Sequence, residues 1–157
     1  MMEDNVAGEQ TPDMDRLIAE LMEEIARQEA ARYSAKVLEE ARNPRNLGAM
    51  LDPDGHAGLN GACGDRMEVF LRLDGPQIVR ATFMTDGCGP TVACGSMLTR
   101  MALGKTLEEA AAIRATDLVA ALDGLPPEHE HCASLAVNTL RLAILNYEKP
   151  EEPAGDA

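Results

Sequence analysis

The sequence predicts an α+β domain, because one β-hairpin pattern stands among several helical patterns. Residues 66–73 ("RMEVFLRL") and 77–84 ("QIVRATFM") have the composition of strands, and "DGP" between them is a turn signal. On both sides of this hairpin, apolar residues recur at helical spacing. The chain has 157 residues, 45% of them hydrophobic, which suits one domain with a core or one domain with an appendage.

The N-terminal region contains the first helical pattern. Residues 1–12 are polar and include Pro12, so we expect a disordered start. Residues 13–32 predict an amphipathic helix, an extension whose apolar stripe is typical of core or dimer packing. The stripe consists of Met14, Leu17, Ile18, Leu21, Met22 and Ile25.

Helical and irregular segments alternate around the hairpin. The first pattern continues through residues 33–42 and should end before Pro44. Residues 43–62 are rich in turn-forming residues and predict irregular structure. After the hairpin, residues 89–104 predict a helix, with proline in its first turn and glycine just past its end.

The C-terminal part predicts three further helices. Thr106 and Glu109 have the spacing of a capping box at the start of a helix over 106–114, and 116–124 predict a short helix. After a Pro-Pro break, 130–149 predict a terminal helix. Its apolar stripe consists of Ala133, Ala136, Val137, Leu140, Ile144 and Tyr147. We expect the tail, residues 150–157, to be disordered.

Charge and targeting features exclude several classes of protein. The net charge of −13 argues against binding to nucleic acid and to anionic membranes, which both need a basic surface. No apolar run approaches the length of about 20 residues that a transmembrane helix needs. The first residues lack the basic and apolar regions of a signal peptide, which predicts a cytoplasmic protein. In that compartment, spaced cysteines indicate metal binding or catalysis more often than disulfides.

The four cysteines all lie at predicted turns or near predicted helix starts. Cys63 is two residues from Asp65, so in an extended segment both side chains point to the same side. Cys88 precedes one helix, and Cys132, with His131 beside it, lies near the start of another. Three thiolates, a carboxylate and an imidazole suit zinc or an iron–sulfur cluster. The absence of a C-x-x-C pair argues against a thioredoxin-like redox role.

Several linked motifs resemble the U-type iron–sulfur cluster assembly scaffolds, the family of IscU and of the NifU N-terminal domain. The resemblance runs from about residue 33 to residue 147. Its motifs are "YSAKVLEEARNPRNLG", "GACGD", "ATFMTDGCGPTVACGSMLT", "GKTLEEA" and "LPPEHEHC". The resemblance implies a three-stranded antiparallel sheet covered by helices, with a first strand before "GACGD". It also implies a scaffold domain over residues 33–149.

The same resemblance implies a function and a site. The family's ligands match Cys63, Asp65, Cys88 and Cys132, with His131 adjacent. They would hold iron and a transient [2Fe–2S] cluster, built with sulfur from a cysteine desulfurase and passed to acceptor apo-proteins, so the chain would not be an enzyme. Zinc is an alternative occupant of the isolated protein. The resemblance leaves the oligomeric state open, and a homo-oligomer is compatible with the N-terminal stripe.

Some positions depart from the family pattern. The family's chaperone-binding motif reads LPPVK, whereas Glu128 and His129 stand at its last two positions here, which argues against docking to an Hsp70-type chaperone. Cys94 occupies a position that is serine in the best-known members. It shares a helix face with Leu98 and Met101, so both packing and metal ligation are possible roles for Cys94.

We expect the two remaining histidines, His56 and His129, to be exposed loop residues.

Two other classes of function are compatible with these residues. One is a sulfurtransferase or thiol enzyme with one nucleophilic cysteine, which includes a zinc-binding sulfur acceptor that carries a persulfide. The other is a binding module that a permanent zinc ion stabilises.

Overall fold

The computed structural model describes residues 4–149, with side chains from residue 13 onward. The predicted disorder of residues 1–3 and of the tail 150–157 lies outside the described residues. The chain separates into two compact units, of which the first ends at Tyr33 and the second begins at Ser34. No helix in the described residues is both long enough and apolar enough to cross a bilayer.

The first unit is a single helix, α1, that runs from Asp4 to Arg32. The helix therefore starts earlier than predicted, and the expected disordered start is wrong for residues 4–12. The predicted start of the helix at residue 13 was based on Pro12. The fixed φ of proline is compatible with a helix, although the helix loses one backbone hydrogen bond there. The six apolar side chains of the α1 stripe are all exposed, from 48% for Ile18 to 64% for Met22.

The helical pattern that spans residues 13–42 is two helices in the structure. Helix α2 runs from Ala35 to Arg42 and ends just before Pro44, as predicted. Ser34 breaks the pattern because its backbone is extended and its hydroxyl accepts a hydrogen bond from the Val37 N–H at 3.0 Å. This is an N-cap, the arrangement that serine favours over the helix interior.

The sheet has three antiparallel strands in the order β1-β2-β3, which confirms the predicted fold class. Strand β1 runs from Gly55 to Asn60, β2 from Arg66 to Asp74 and β3 from Gln77 to Thr85. The hairpin is where the sequence predicts it. The irregular structure predicted for 43–62 is wrong for β1, because "GHAGLN" has too few large apolar residues to show an alternating pattern.

Helices cover the sheet and supply most of the core. After the sheet come α3 (Gly89–Ala102), α4 (Leu107–Ala111), α5 (Ala115–Ala121) and α6 (Glu130–Glu148), of which α4 and α5 pack against other helices. Helix α6 packs against β1 and β2, and α3 packs against β3. The core between them is mainly aliphatic, with Phe83 as its largest fully buried side chain. The capping box at Thr106 is present, and a 3-10 turn, Pro127–His129, leads directly into α6.

Candidate metal centre

The residues predicted to bind metal lie at one end of the sheet. Asn60 at the end of β1 pairs with Arg66 at the start of β2, and Met67 pairs with Thr85 at the end of β3. The β1–β2 loop contains Cys63 and Asp65, and the segment after β3 leads to Cys88. The first turn of α6 brings His131 and Cys132 to the same end.

A tight loop fixes the first cysteine and the aspartate. The Gly61 N–H donates to the Asp65 carbonyl at 2.5 Å, and the Gly64 N–H donates to the Gly61 carbonyl at 3.1 Å. Gly64 has a φ of +88°, a conformation that glycine adopts without strain. Cys63 is exposed at the tip of this loop, whereas Asp65 points toward α3.

The second loop is tied to the first strand of the hairpin. The Asp86 carboxylate accepts from the Arg66 N–H at 2.8 Å, and the Thr85 hydroxyl donates to the Arg66 carbonyl at 2.7 Å. Cys88 follows as the N-cap residue of α3 and is exposed. A Cβ atom on Gly87 would lie 2.9 Å from the Asp65 carboxylate and 2.7 Å from the Thr91 Cβ, so only glycine allows this approach.

The hydroxyl of Thr91 joins the polar groups of the site. Its oxygen lies 2.8 Å from Asp65 Oδ2, 3.3 Å from Cys132 Sγ and 3.7 Å from Cys88 Sγ. Thr91 is fully buried in the first turn of α3. Because a hydroxyl has a single hydrogen, it donates to one of these groups at a time and can accept from a thiol. Thr91 thus holds three candidate ligands from three segments close together.

Two groups of side chains have ligand atoms close enough to hold a metal ion. Asp65, His131 and Cys132 form one group, and the other combines Cys88 and Cys132 with His129. Within each group all ligand atoms lie within 4.8 Å of one another. The Nε2 atom of His131 is 3.7 Å from Cys132 Sγ. Cys132 is the one residue that the two groups share.

Burial affects the protonation of two cysteines, Cys132 and Cys94. Burial raises the pKa of Cys132, the hydrogen bond from Thr91 offsets part of this, and the nearby Cys88 and Asp65 raise the pKa further. Burial also raises the pKa of Cys94 far above the usual thiol range, and Cys132 and Cys88 add to the increase. Metal binds the thiolate, so an ion at Cys132 must displace a proton.

The structure brings most of the predicted site residues together. Asp65, His131 and Cys132 meet in one group, and Cys88 meets Cys132 in the other. Cys63 lies on the adjoining loop but belongs to neither group. Among the described residues, no candidate metal group includes Cys94, which is buried in α3.

The predictions for the other histidines were wrong in part. His56 is exposed but lies in β1, where it bonds to Glu68 at 3.0 Å and stacks on Phe70. His129 is half-buried beside Cys88 and Cys132 instead of exposed in a loop, because the 3-10 turn directs it toward α3. Thr91 was not predicted as part of the site. Its spacing of three residues after Cys88, at the start of a helix, is the available signal.

The fold and the site define a class of protein: a small α+β domain with an open, cysteine-rich candidate metal centre at one end of its sheet. Residues 32–153 match the model of the NifU-like N-terminal domain family, and the chain belongs to this family.

Individual relatives agree with this assignment. The chain is 42% identical over 116 residues to iron–sulfur cluster assembly scaffold protein IscU 1 of Archaeoglobus fulgidus, covering 73% of this chain and 76% of that protein. It is 38% identical over 125 residues to the scaffold protein IscU of Escherichia coli, covering 76% of this chain and 97% of that protein. Among solved structures, the N-terminal part of a NifU-like protein from Brucella abortus has the same fold, with a TM-score of 0.59 at 19% identity, over 75% of this chain and 95% of that one.

Proposed function

We propose that this chain is a scaffold on which a [2Fe–2S] cluster is assembled and from which the cluster passes to apo-proteins. The observation that carries the proposal is the meeting of Cys88, Asp65 and Cys132 around the Thr91 hydroxyl, with Cys63 on the adjoining loop. The names of the IscU relatives support the same function.

The donor set suits a cluster that forms and then leaves. Thiolate sulfur is a soft, strong ligand for cluster iron, whereas a carboxylate is a harder donor. Cys132 is fixed in the interior, and Cys63 and Cys88 are exposed to an incoming acceptor. Asp65 would supply the weakest of the four bonds, so exchange would begin there.

The exposed thiols also suit the delivery of sulfur. A thiolate of Cys63 or Cys88 would attack the outer sulfur of a persulfide on a cysteine desulfurase. A new S–S bond forms on the scaffold and the desulfurase thiolate leaves, so the transfer needs no oxidant or reductant. Conversion of that sulfur to sulfide then takes two electrons from a separate electron-donor protein. The cluster is cargo that departs, so the scaffold does not act as an enzyme.

We expect docking to an Hsp70-type chaperone to be weak. Glu128 is exposed in the 3-10 turn, and its burial in a groove shaped for valine would require a partner for the charge. A peptide with the sequence "LPPEH" should therefore bind such a chaperone more weakly than the same peptide with valine at this position. Equal affinity in a fluorescence titration would contradict this expectation.

Anaerobic reconstitution with Fe²⁺ and sulfide tests the proposed function. Visible absorption and circular dichroism should show a [2Fe–2S] chromophore in the wild type, and not in Cys63→Ser, Cys88→Ser or Cys132→Ser. Cys94→Ser is the matched control, because this cysteine is buried outside both ligand groups, and it should form the chromophore. A wild-type protein that binds Zn²⁺ but forms no chromophore would overturn the proposal in favour of a zinc-binding sulfur acceptor.

A further inference from the structure

His129 lies where a metal ligand would lie, at the end of the 3-10 turn before α6. The Pro126–Pro127 pair starts this turn, and the His129 N–H donates to the Pro126 carbonyl at 2.9 Å, which fixes the backbone. The Nδ1 atom of the ring is buried. A ring nitrogen lies within 4.8 Å of both Cys88 Sγ and Cys132 Sγ. His131, on the next turn, contacts Cys132 at 3.7 Å, so two imidazoles flank the same thiol.

The geometry of this group is close to that of a bound ion. A tetrahedral metal with bonds of 2.0–2.3 Å places neighbouring ligand atoms about 3.3–3.8 Å apart. A spread of 4.8 Å or less is therefore at most about 1.5 Å wider than the spacing around a bound ion. Two sulfurs and one nitrogen are the donors that zinc and ferrous iron accept in proteins. The exposure of Cys88 leaves a fourth position open to solvent or to another ligand.

We propose that His129 is a metal ligand and that it forms, with Cys88 and Cys132, a second binding position for a single divalent ion. The first position is the group of Asp65, His131 and Cys132. Since both positions use Cys132, an ion occupies one or the other. It can move between them while it stays bound to the Cys132 sulfur.

The second position has a consequence for cluster assembly. An ion held by Cys88, His129 and Cys132 leaves the β1–β2 loop, with Cys63 and Asp65, unoccupied. Cys63 is then available to receive sulfur while the metal is already on the protein. This inference deepens the proposed function, since the ion would be the iron that the scaffold loads. Its test uses Zn²⁺ alone, so it can fail while cluster assembly stands.

The test follows the histidine rings directly. The apo-protein is labelled with ¹⁵N-histidine and titrated with Zn²⁺, and long-range ¹H–¹⁵N spectra report on each ring. We expect the ring nitrogens of His129 and His131 to shift in the wild type. Those of His56, which lies in β1 beside Glu68, should not shift. In Cys88→Ser the His129 shift should disappear and the His131 shift should remain.

Zn²⁺ affinity, measured by chelator competition, provides the second readout. His129→Ala and His131→Ala should each bind almost as tightly as the wild type, because the ion moves to the remaining position. The Zn²⁺ affinity of the double variant should fall roughly 100-fold or more. Even a group that only hydrogen-bonds to a metal ligand contributes about 10–100-fold to metal affinity. His56→Ala is the matched control and should bind like the wild type.

Two results would overturn the inference. One is a His129 ring that does not respond to Zn²⁺ in the wild type. The other is a His131→Ala variant that binds as weakly as the double variant. The wild-type spectrum needs no substitution, so it decides the question even where a variant folds poorly.

Discussion

At the scale of single residues, the site depends on a hydroxyl that is not itself a predicted ligand. Thr91 is buried and lies within 2.8–3.7 Å of Asp65, Cys132 and Cys88. These three residues come from the β1–β2 loop, from α6 and from the start of α3. Thr91 is therefore a positioning residue, which orients the candidate ligands before metal arrives.

Thr91→Val should weaken metal binding and lower stability. Valine keeps the shape of the side chain but leaves Asp65 without this hydrogen bond, which costs about 1 kcal/mol in the free energy of unfolding. We expect Zn²⁺ affinity to fall about 10-fold, as for other groups that orient a ligand. Chemical denaturation and chelator competition measure the two effects.

Thr139→Val is the matched control for this prediction. Thr139 is also buried, but its hydroxyl donates to the Leu135 carbonyl of its own helix at 2.7 Å. This variant should change stability without changing Zn²⁺ affinity. Equal loss of affinity in both variants would show that the effect of Thr91 is a general loss of packing.

Asp65→Ala should give a cluster that forms, lasts longer and transfers more slowly. The carboxylate is the hardest donor of the set, and beside the thiols its charge disfavours a second negative group. The variants are reconstituted anaerobically and followed by visible circular dichroism during transfer to an apo-ferredoxin. Transfer at the wild-type rate would show that Asp65 has no role in releasing the cluster. Faster loss of the cluster in the variant would show that Asp65 retains the cluster instead.

The sequence predicts the ligand types better than it predicts their grouping. Cys63, Asp65 and Cys88 are recognisable because glycines and helix starts surround them. The position of His129 depends on the direction of a 3-10 turn, and that of Thr91 depends on how closely Gly87 approaches. Both are tertiary properties, which no local pattern in one sequence records.

At the scale of elements, prediction succeeds where the apolar pattern is strong. The hairpin and helices α3 and α6 have clear periods, and the structure places them within a few residues of the predicted ranges. Strand β1 confirms the first strand that the family resemblance implied, but periodicity alone does not show it, because its buried positions hold Gly55 and Ala57, which give no hydrophobic alternation. The break between α1 and α2 at Ser34 was missed. Serine lowers helix stability only slightly, so its presence in a helical pattern does not by itself indicate that a helix ends and another begins.

Removal of residues 1–30 should change self-association more than cluster assembly. No candidate ligand lies in α1, and the family match begins at residue 32. Five acids and one arginine lie in residues 13–24, whereas two arginines and one glutamate lie in 25–32. Two copies of α1 that pair antiparallel through the exposed stripe would bring opposite charges together. We therefore expect a second copy of this chain to cover the stripe.

Sedimentation of the full and shortened chains, with reconstitution of both, measures this effect. Leu21→Lys in the full chain tests the stripe alone and should reduce self-association as the deletion does, whereas Arg16→Lys, on the charged side, should not. A shortened chain that stays folded but forms no cluster would contradict the prediction. So would an unchanged sedimentation coefficient for Leu21→Lys.

At the scale of the whole molecule, the buried thiols make stability depend on pH. The pKa values of Cys94 and Cys132 are raised in the folded chain. Above the ordinary thiol pKa of about 8.5, the unfolded chain releases protons that the folded chain keeps, so stability falls as pH rises. Each such thiol contributes at most about 1.4 kcal/mol per pH unit.

Cys94→Ala should therefore flatten the alkaline slope. We expect the free energy of unfolding of the metal-free protein to fall less steeply between about pH 8 and 10 in the variant than in the wild type. Denaturant titrations at several pH values measure the slope. A slope identical to that of the wild type would show that this thiol does not lose its proton on unfolding in that range.

The order of the ligands along the chain has a consequence for synthesis. The ribosome exposes Cys63 and Cys88 well before helix α6, which contains His131 and Cys132, can fold onto β1 and β2. A nascent chain without α6 therefore lacks Cys132, which both donor groups need, and each full donor group appears when the last helix docks. If the proposed function holds, we therefore expect the chain to load iron only after translation of the domain is complete.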